Sequence, residues 1–378
     1  MRTEIVRRQS EEIARHGIDA MISCSPENFA YATGFVVPTQ ALLRHRHAMV
    51  IVTADQRTEL FGVDMEATTI SRREPKTPLR IWAEFTDDAM QVLASQLKDL
   101  GLSTARIGIE MDYLPAGDMV KLQKYLPQAT FVPCEQILAR LRQIKTPEEI
   151  ELLRRLSRIA DQAITDSLAT VRAGDSEMDI AGEMTRRIYE LGAEHFKLLI
   201  VATGPRSELP NVGPSDRKLQ RGDVCRVEIF SVIGGYQAGV CRTAVVQEAP
   251  PMAAQLWQHL IDCKYQILEM VKPGASCAEI YAAFIAHLAK ANMPPISFVG
   301  HGIGLHLHED PYIGVTPILG QPGKDALLEE SMVLGFEPLC YRTGYGFGLQ
   351  NKDMLVVNTR GSELLSDYAQ TDKLLVVA

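Results

Sequence analysis

With 378 residues the chain exceeds the size at which one hydrophobic core usually stops growing, so two domains are expected. Acidic residues outnumber basic ones by 47 to 39 without runs of either sign, which argues against a nucleic-acid-binding surface and for a small-molecule or peptide substrate. Seven scattered cysteines without a CxxC pair match reduced, cytoplasmic usage, and the charged N-terminal segment suggests neither signal peptide nor membrane span.

Residues 3–16 carry apolar positions at helical spacing (Ile5, Val6, Ile13), and Gly17 sits where a C-cap would end the run. "DAMISC" (19–24) and "HAMVIVTAD" (47–55) read as buried strands, "TDDAMQVLASQLKDLG" (86–101) as a helix and "RIGIE" (106–110) as a further strand. This alternation predicts a small α/β domain over residues 1–143. The texture changes at "IKTPEEIELLRRLSRIADQAITDSLATV" (144–171), where Thr146 suits an N-cap, Pro147 the first turn, and Glu148 and Glu149 the positive helix end. A second helix opens with the capping box Ser176 to Asp179, and helices over 251–271 and 277–291 follow, the latter begun by Ser276 and Glu279. Between them, Gly234-Gly235 joins two β-runs, the strongest hairpin signal in the chain. Strands return at 332–341 and 353–358, so residues 144–378 are predicted to be α+β, with helices covering an antiparallel sheet.

The stretch "GHGIGLHLHEDP" (300–311) sets three histidines on a glycine-rich run. As a single strand it would place His306 and His308 on one face and His301 on the other, unless a bulge re-aims the latter. Histidines grouped in this way point to a functional site rather than to packing.

Together with "SMVLGFEPLCY" (331–341), "GYGFGLQNKDMLVVN" (344–358) and the hairpin "RGDVCRVEIFSVIGGYQAGVCRTAVV" (221–246), this stretch resembles the creatinase / aminopeptidase P / prolidase family. The likeness extends to "GIDAMISCSPENFAYATGF" (17–35) and "LRQIKTPEEIELLRRLSRIADQAI" (141–164). It implies an α+β chain made of a small N-terminal α/β creatinase-like domain followed by a C-terminal pita-bread catalytic domain.

Metal-dependent members of that family hold two divalent cations with two aspartates, a histidine and two glutamates. The resemblance places these positions on Glu228, Gly239, His301, Glu337 and Lys352. Gly239 has no donor, and an ammonium about 4 Å from a divalent ion would be repelled by about 8 kcal/mol at an effective dielectric near 20. No metal or other cofactor is therefore expected, Lys352 supplying the charge beside Glu337 or Glu228. The pattern is nearest to the metal-free creatinase branch. It departs from creatinase where that enzyme's general-base histidine falls on Asn211 and its hairpin glutamate on Cys241.

The resemblance thus implies a metal-independent hydrolase cleaving a C–N bond of a small amino-acid-like or carboxylated compound. His301 or His308 would hold a proton in the neutral range and pass it to the leaving nitrogen. Glu337 would activate water or attack directly, and Lys352 would stabilise the oxyanion. Tyr236 and Arg242 are expected to line the same cavity, shaped by loops 203–221 and 312–325. A cytoplasmic homodimer is implied, with Arg44 or Arg46 of one copy holding the substrate carboxylate in the other. Two alternatives stand beside this: an Xaa-Pro peptidase with one cation on Glu228, His301 and Glu337, and a pita-bread binding module without turnover. The bland reading of Glu337 and Lys352 is a buried ion pair preserving an old cavity.

Overall fold

The structure is a computed structural model that describes residues 1–318 and 321–378, so residues 319 and 320 of the 312–325 loop lie outside the described residues. The chain divides into two compact units, Met1–Arg142 and Gln143–Ala378.

In chain order the first unit contains α1 (Thr3–Arg15), β1 (Ala20–Ser23), α2 (Pro26–Thr33), β2 (Met49–Thr53), β3 (Thr58–Val63), α3 (Ala67–Arg73), β4 (Leu79–Trp82), α4 (Ala89–Asp99), β5 (Arg106–Ile109), α5 (Ala116–Tyr125), β6 (Thr130–Pro133) and α6 (Glu135–Gln143). Its six strands form one mixed sheet in the order β4-β3-β2-β1-β5-β6, with β1 antiparallel to β2 and parallel to β5. Both faces of the sheet are covered. Ile22, Ile51 and Ile107 join one apolar cluster while Met21, Val50 and Val52 join the other, which is why β1 and β2 read as unbroken apolar runs.

The second unit contains α7 (Pro147–Thr170), α8 (Glu177–Glu190), β7 (His195–Thr203), β8 (Val224–Ile233), β9 (Tyr236–Val246), α9 (Pro251–Met270), α10 (Cys277–Lys290), β10 (Phe298–Gly302), β11 (Glu309–Gly314), β12 (Val333–Phe336), β13 (Leu339–Cys340), β14 (Leu349–Gln350), β15 (Asp353–Asn358), β16 (Gly361–Leu364) and β17 (Leu375–Val377). One sheet runs β17-β9-β8-β7 and a second runs β11-β10-β12-β15-β16. Helices α7 and α8 pack on the first, α9 and α10 on the second.

Local chemistry sets these elements. The Thr146 hydroxyl accepts from the Glu149 amide at 3.3 Å and the Glu149 carboxylate accepts from the Thr146 amide at 2.8 Å, a complete capping box for α7. Ser176 and Asp179 do the same for α8. Gly234 and Gly235 turn the β8–β9 hairpin with φ of +58° and +86°, a left-handed pair that side-chain-bearing residues adopt at a cost. Among the described residues no helix is long and apolar enough to cross a membrane.

Candidate active site

The two sheets of the second unit are joined where Cys241 and Lys352 exchange backbone hydrogen bonds, Cys241 N to Lys352 O at 3.2 Å and Lys352 N to Cys241 O at 3.1 Å. In the β8–β9 ladder Glu228 faces Cys241 and Phe230 faces Gly239, so alternation puts Arg226, Glu228 and Phe230 on one face with Gly239 and Cys241. The second sheet adds His301 from β10, Glu337 just past β12 and Lys352 just before β15. A methyl group at Gly335 would meet both the His301 ring and Lys352 Cε at 3.3 Å, so the bare strand there makes room for the two side chains.

Lys352 Nζ lies 3.1 Å from Glu228 Oε1, 3.6 Å from Glu337 Oε2 and 3.5 Å from His301 Nε2, above the Phe230 ring at 4.6 Å. Burial opposes its charge, but Glu228 and Glu337 outweigh that and hold the lysine above its ordinary pKa. Burial likewise favours a neutral Glu337, yet Lys352 and His301 hold the carboxyl well below the usual range. Glu337 Oε2 accepts from Gln350 Nε2 at 2.8 Å. Its Oε1, 3.2 Å from His301 Nε2 but poorly aligned, has no protein hydrogen-bond partner among the described residues. His301 Nδ1 sits 2.7 Å from the Gly302 carbonyl, which can only accept, so Nδ1 carries hydrogen and Nε2 is the nitrogen that exchanges a proton with the site.

His308 departs from expectation in two respects. The 300–311 stretch is not one strand, because β10 ends at Gly302 and β11 begins at Glu309. The intervening turn folds His308 back onto His301, their rings stacked with centroids 3.8 Å apart rather than on opposite faces. Burial and the neighbouring His301 push His308 down to about 3, so it is a neutral imidazole near pH 7 and not a proton donor there. Its Nδ1 lies 3.2 Å from the Tyr312 hydroxyl.

Above these groups opens a cavity of ≈ 860 Å³ whose lining includes Glu228, Phe230, His308, Glu337, Gln350 and Lys352. Residues 208–211 of the 203–221 loop contribute to its wall. Tyr236 and Arg242 do not line it. The Tyr236 hydroxyl donates to Glu149 at 2.7 Å, and Arg242 pairs with Asp161 at 2.7 Å and Asp353 at 2.9 Å in the core. The cause is strand parity: Arg242 pairs with Val227, one residue off the Glu228 row, and its side chain therefore points to the other face. Arg242 still reaches the site indirectly, donating to the Lys352 carbonyl at 2.8 Å.

The same parity exposes what sequence reasoning missed. Arg226, two residues before Glu228, is fully buried and donates to Gln350 Oε1 at 3.1 Å and to the Pro210 carbonyl at 2.9 Å. Gln350, two before Lys352, thereby links Arg226 to Glu337. Cys241 and Cys340 are inert here, since burial raises the first thiol far above its ordinary value and the second to about 12. In the first unit, Arg44 stacks over the Tyr113 ring at 5.2 Å and Arg46 pairs with Glu84 at 2.8 Å.

Two sheets holding a buried carboxylate–imidazole–ammonium cluster under an apolar cavity define a hydrolase of the pita-bread class. The chain belongs to metallopeptidase family M24, whose pattern matches residues 151–359, while that of the creatinase/prolidase N-terminal domain matches residues 6–144. It is 27% identical over 395 residues to the creatinase of Bacillus sp. (strain B-0618), covering 97% of this chain and 91% of that one. It is 26% identical over 353 residues to the uncharacterized peptidase YqhT of Bacillus subtilis (strain 168), covering 93% and 94%. A solved Xaa-Pro dipeptidase from Bacillus anthracis superposes with a TM-score of 0.84 over 99% of both chains at 23% identity, a likeness of fold alone. The α/β-then-pita-bread organisation expected from sequence holds, and the chain is a C–N-bond hydrolase of this family.

The family's name raises the question whether these residues fit a pair of cations, and they do not. A Cβ on Gly239 would lie 2.2 Å from the Phe230 ring, so that ring fills the space an aspartate would need. Lys352 Nζ stands among the remaining donors. Among the described residues no three His, Cys, Asp or Glu side chains form a metal-binding group.

Proposed function

We propose that the protein is a metal-independent hydrolase that cleaves an amide, amidine or guanidino C–N bond in a carboxylated, amino-acid-like compound. The observation that carries this reading is the Lys352 ammonium held within 3.6 Å of both Glu228 and Glu337 at the floor of the cavity. Glu337, which lines the cavity, takes a proton from water as the oxygen attacks the electrophilic carbon. Lys352 stabilises the negative charge that develops on the substrate. The proton, shared between Glu337 and His301 Nε2 3.2 Å away, returns from Glu337 to the departing nitrogen, the C–N bond breaks, and an amine leaves together with a carboxylate from an amide, an amide from an amidine or a urea from a guanidino group. His308, neutral and stacked on His301, keeps that ring in place and takes no proton itself. A homodimer is part of the same proposal and is tested by sedimentation.

The curated Bacillus subtilis relative has a peptidase name, which supports a second reading with one cation on Glu228, His301 and Glu337. Elemental analysis of the purified protein, with creatine-like, ectoine-like and Xaa-Pro compounds screened in the presence of chelator, separates the two. Chelator-resistant turnover without stoichiometric metal is the expected result. Near-stoichiometric manganese, zinc or iron with chelator-sensitive turnover would overturn the proposal.

A further inference from the structure

The cavity that holds Glu337 is much larger than its catalytic floor. At ≈ 860 Å³ it falls in the upper part of the roughly 300–1,000 Å³ range of pockets that bury drug-sized ligands, so a creatine-sized molecule would leave most of it unfilled. Its walls are apolar, formed by Leu198, Leu209, Pro294, Phe298, Leu307 and Leu339. Such walls favour a hydrocarbon group on the substrate.

The cavity carries charges of both signs. At the floor two carboxylates, Glu228 and Glu337, face one ammonium, Lys352. A substrate carboxylate placed there would meet like charge. Of the two basic residues in the lining, Lys352 is committed to these glutamates, whereas Arg342 is exposed and makes no hydrogen bond or ion pair among the described residues. Glu208 is the third lining carboxylate, so carboxylates outnumber cations in the lining by three to two and Arg342 is the cation left to bind an anion. His308, neutral between floor and wall, contributes no charge.

We infer that the substrate is an apolar amide bearing a carboxylate, such as an N-acylated amino acid, with its carboxylate on Arg342 and its hydrocarbon part on the leucine, proline and phenylalanine wall. For the bond that is cleaved this rests on the hydrolase reading above. Guanidinium recognises carboxylate through two parallel hydrogen bonds, so the acid is preferred over the corresponding carboxamide.

Calorimetric titration of the full chain with 3-phenylpropanoate, 3-phenylpropanamide and creatine tests this without any bond being broken. The acid is expected to bind about tenfold more tightly than the amide, and creatine more weakly than the acid. Arg342→Gln should bring the acid down to the affinity of the amide and leave the amide unchanged, while Arg342→Lys retains part of the preference. Equal affinity for acid and amide, a preference that survives Arg342→Gln, tighter binding of creatine, or no binding of either aromatic compound would each overturn the inference. The expected selectivity without turnover of N-acylated amino acids would sink the hydrolase reading and leave the binding site standing. Turnover of guanidino compounds without aromatic acid binding would do the reverse.

Discussion

Lys352 and Glu228 form a buried ion pair between the two sheets of the catalytic unit, Nζ to Oε1 at 3.1 Å, with neither side chain more than 5% exposed. Removing one partner of such a pair strands a charge in the interior. Lys352→Met is therefore expected to cost about 3–5 kcal/mol of stability and to lower turnover by at least about 100-fold. The double variant Glu228→Gln/Lys352→Met should regain part of the stability and none of the activity. Chemical denaturation and steady-state kinetics read the two effects, and unchanged turnover in Lys352→Met would remove the lysine from the mechanism.

Ion binding should return in steps. Lys352→Glu replaces the cation with a donor but leaves the Phe230 ring in the space beside Gly239, so it should bind at most one manganese ion per chain. Adding Gly239→Asp together with Phe230→Ala opens that space and should raise the stoichiometry to two. Titration calorimetry with manganese is the measurement, and two ions bound by Lys352→Glu alone would show that the ring is no obstacle.

His308 is expected to stay neutral throughout the pH range in which free histidine titrates, because burial and His301 hold it down to about 3. Its imidazole carbon resonances should not move between about pH 8 and pH 5, where an ordinary histidine would be half protonated near 6.5. A midpoint near neutrality would restore His308 as a proton donor.

Asp353 is the acid-sensitive point of the core. Burial raises its carboxyl, but Arg242 at 2.9 Å and Lys264 at 2.6 Å prevail and hold it well below the ordinary aspartate value. A carboxyl depressed in the folded state contributes stability that is fully present above the unfolded value near 3.9 and is lost as pH falls toward the folded one. Asp353→Asn should cost about 3–5 kcal/mol at pH 7, and the deficit should shrink as the native protein is acidified below about pH 4. A deficit that is independent of pH would contradict the ionised state assigned to Asp353.

The elements most readable from sequence were those with a local cause. Thr146, Ser176 and Ser276 mark helix starts because each hydroxyl accepts from the backbone three residues on, and Gly234-Gly235 marks the hairpin because both need left-handed φ. Glu228, His301, Glu337 and Lys352 were legible through a resemblance, and the structure brings all four together. Arg226 and Gln350 are reached by a parity count, two residues before Glu228 in β8 and two before Lys352. The same count places Arg242 on the opposite face from Glu228. The His301–His308 stack was not legible, since it depends on a turn after Gly302 that interrupts an apparently continuous glycine-histidine alternation.

The aromatic ring lying against Gly239 makes this site a one-way door. Restoring an aspartate there collides with the ring, trimming the ring alone leaves a hole under the ammonium, and exchanging the ammonium alone crowds negative charge into a closed interior. The glycine, the ring and the ammonium therefore interlock, and changing the ion preference of the site takes more than one substitution.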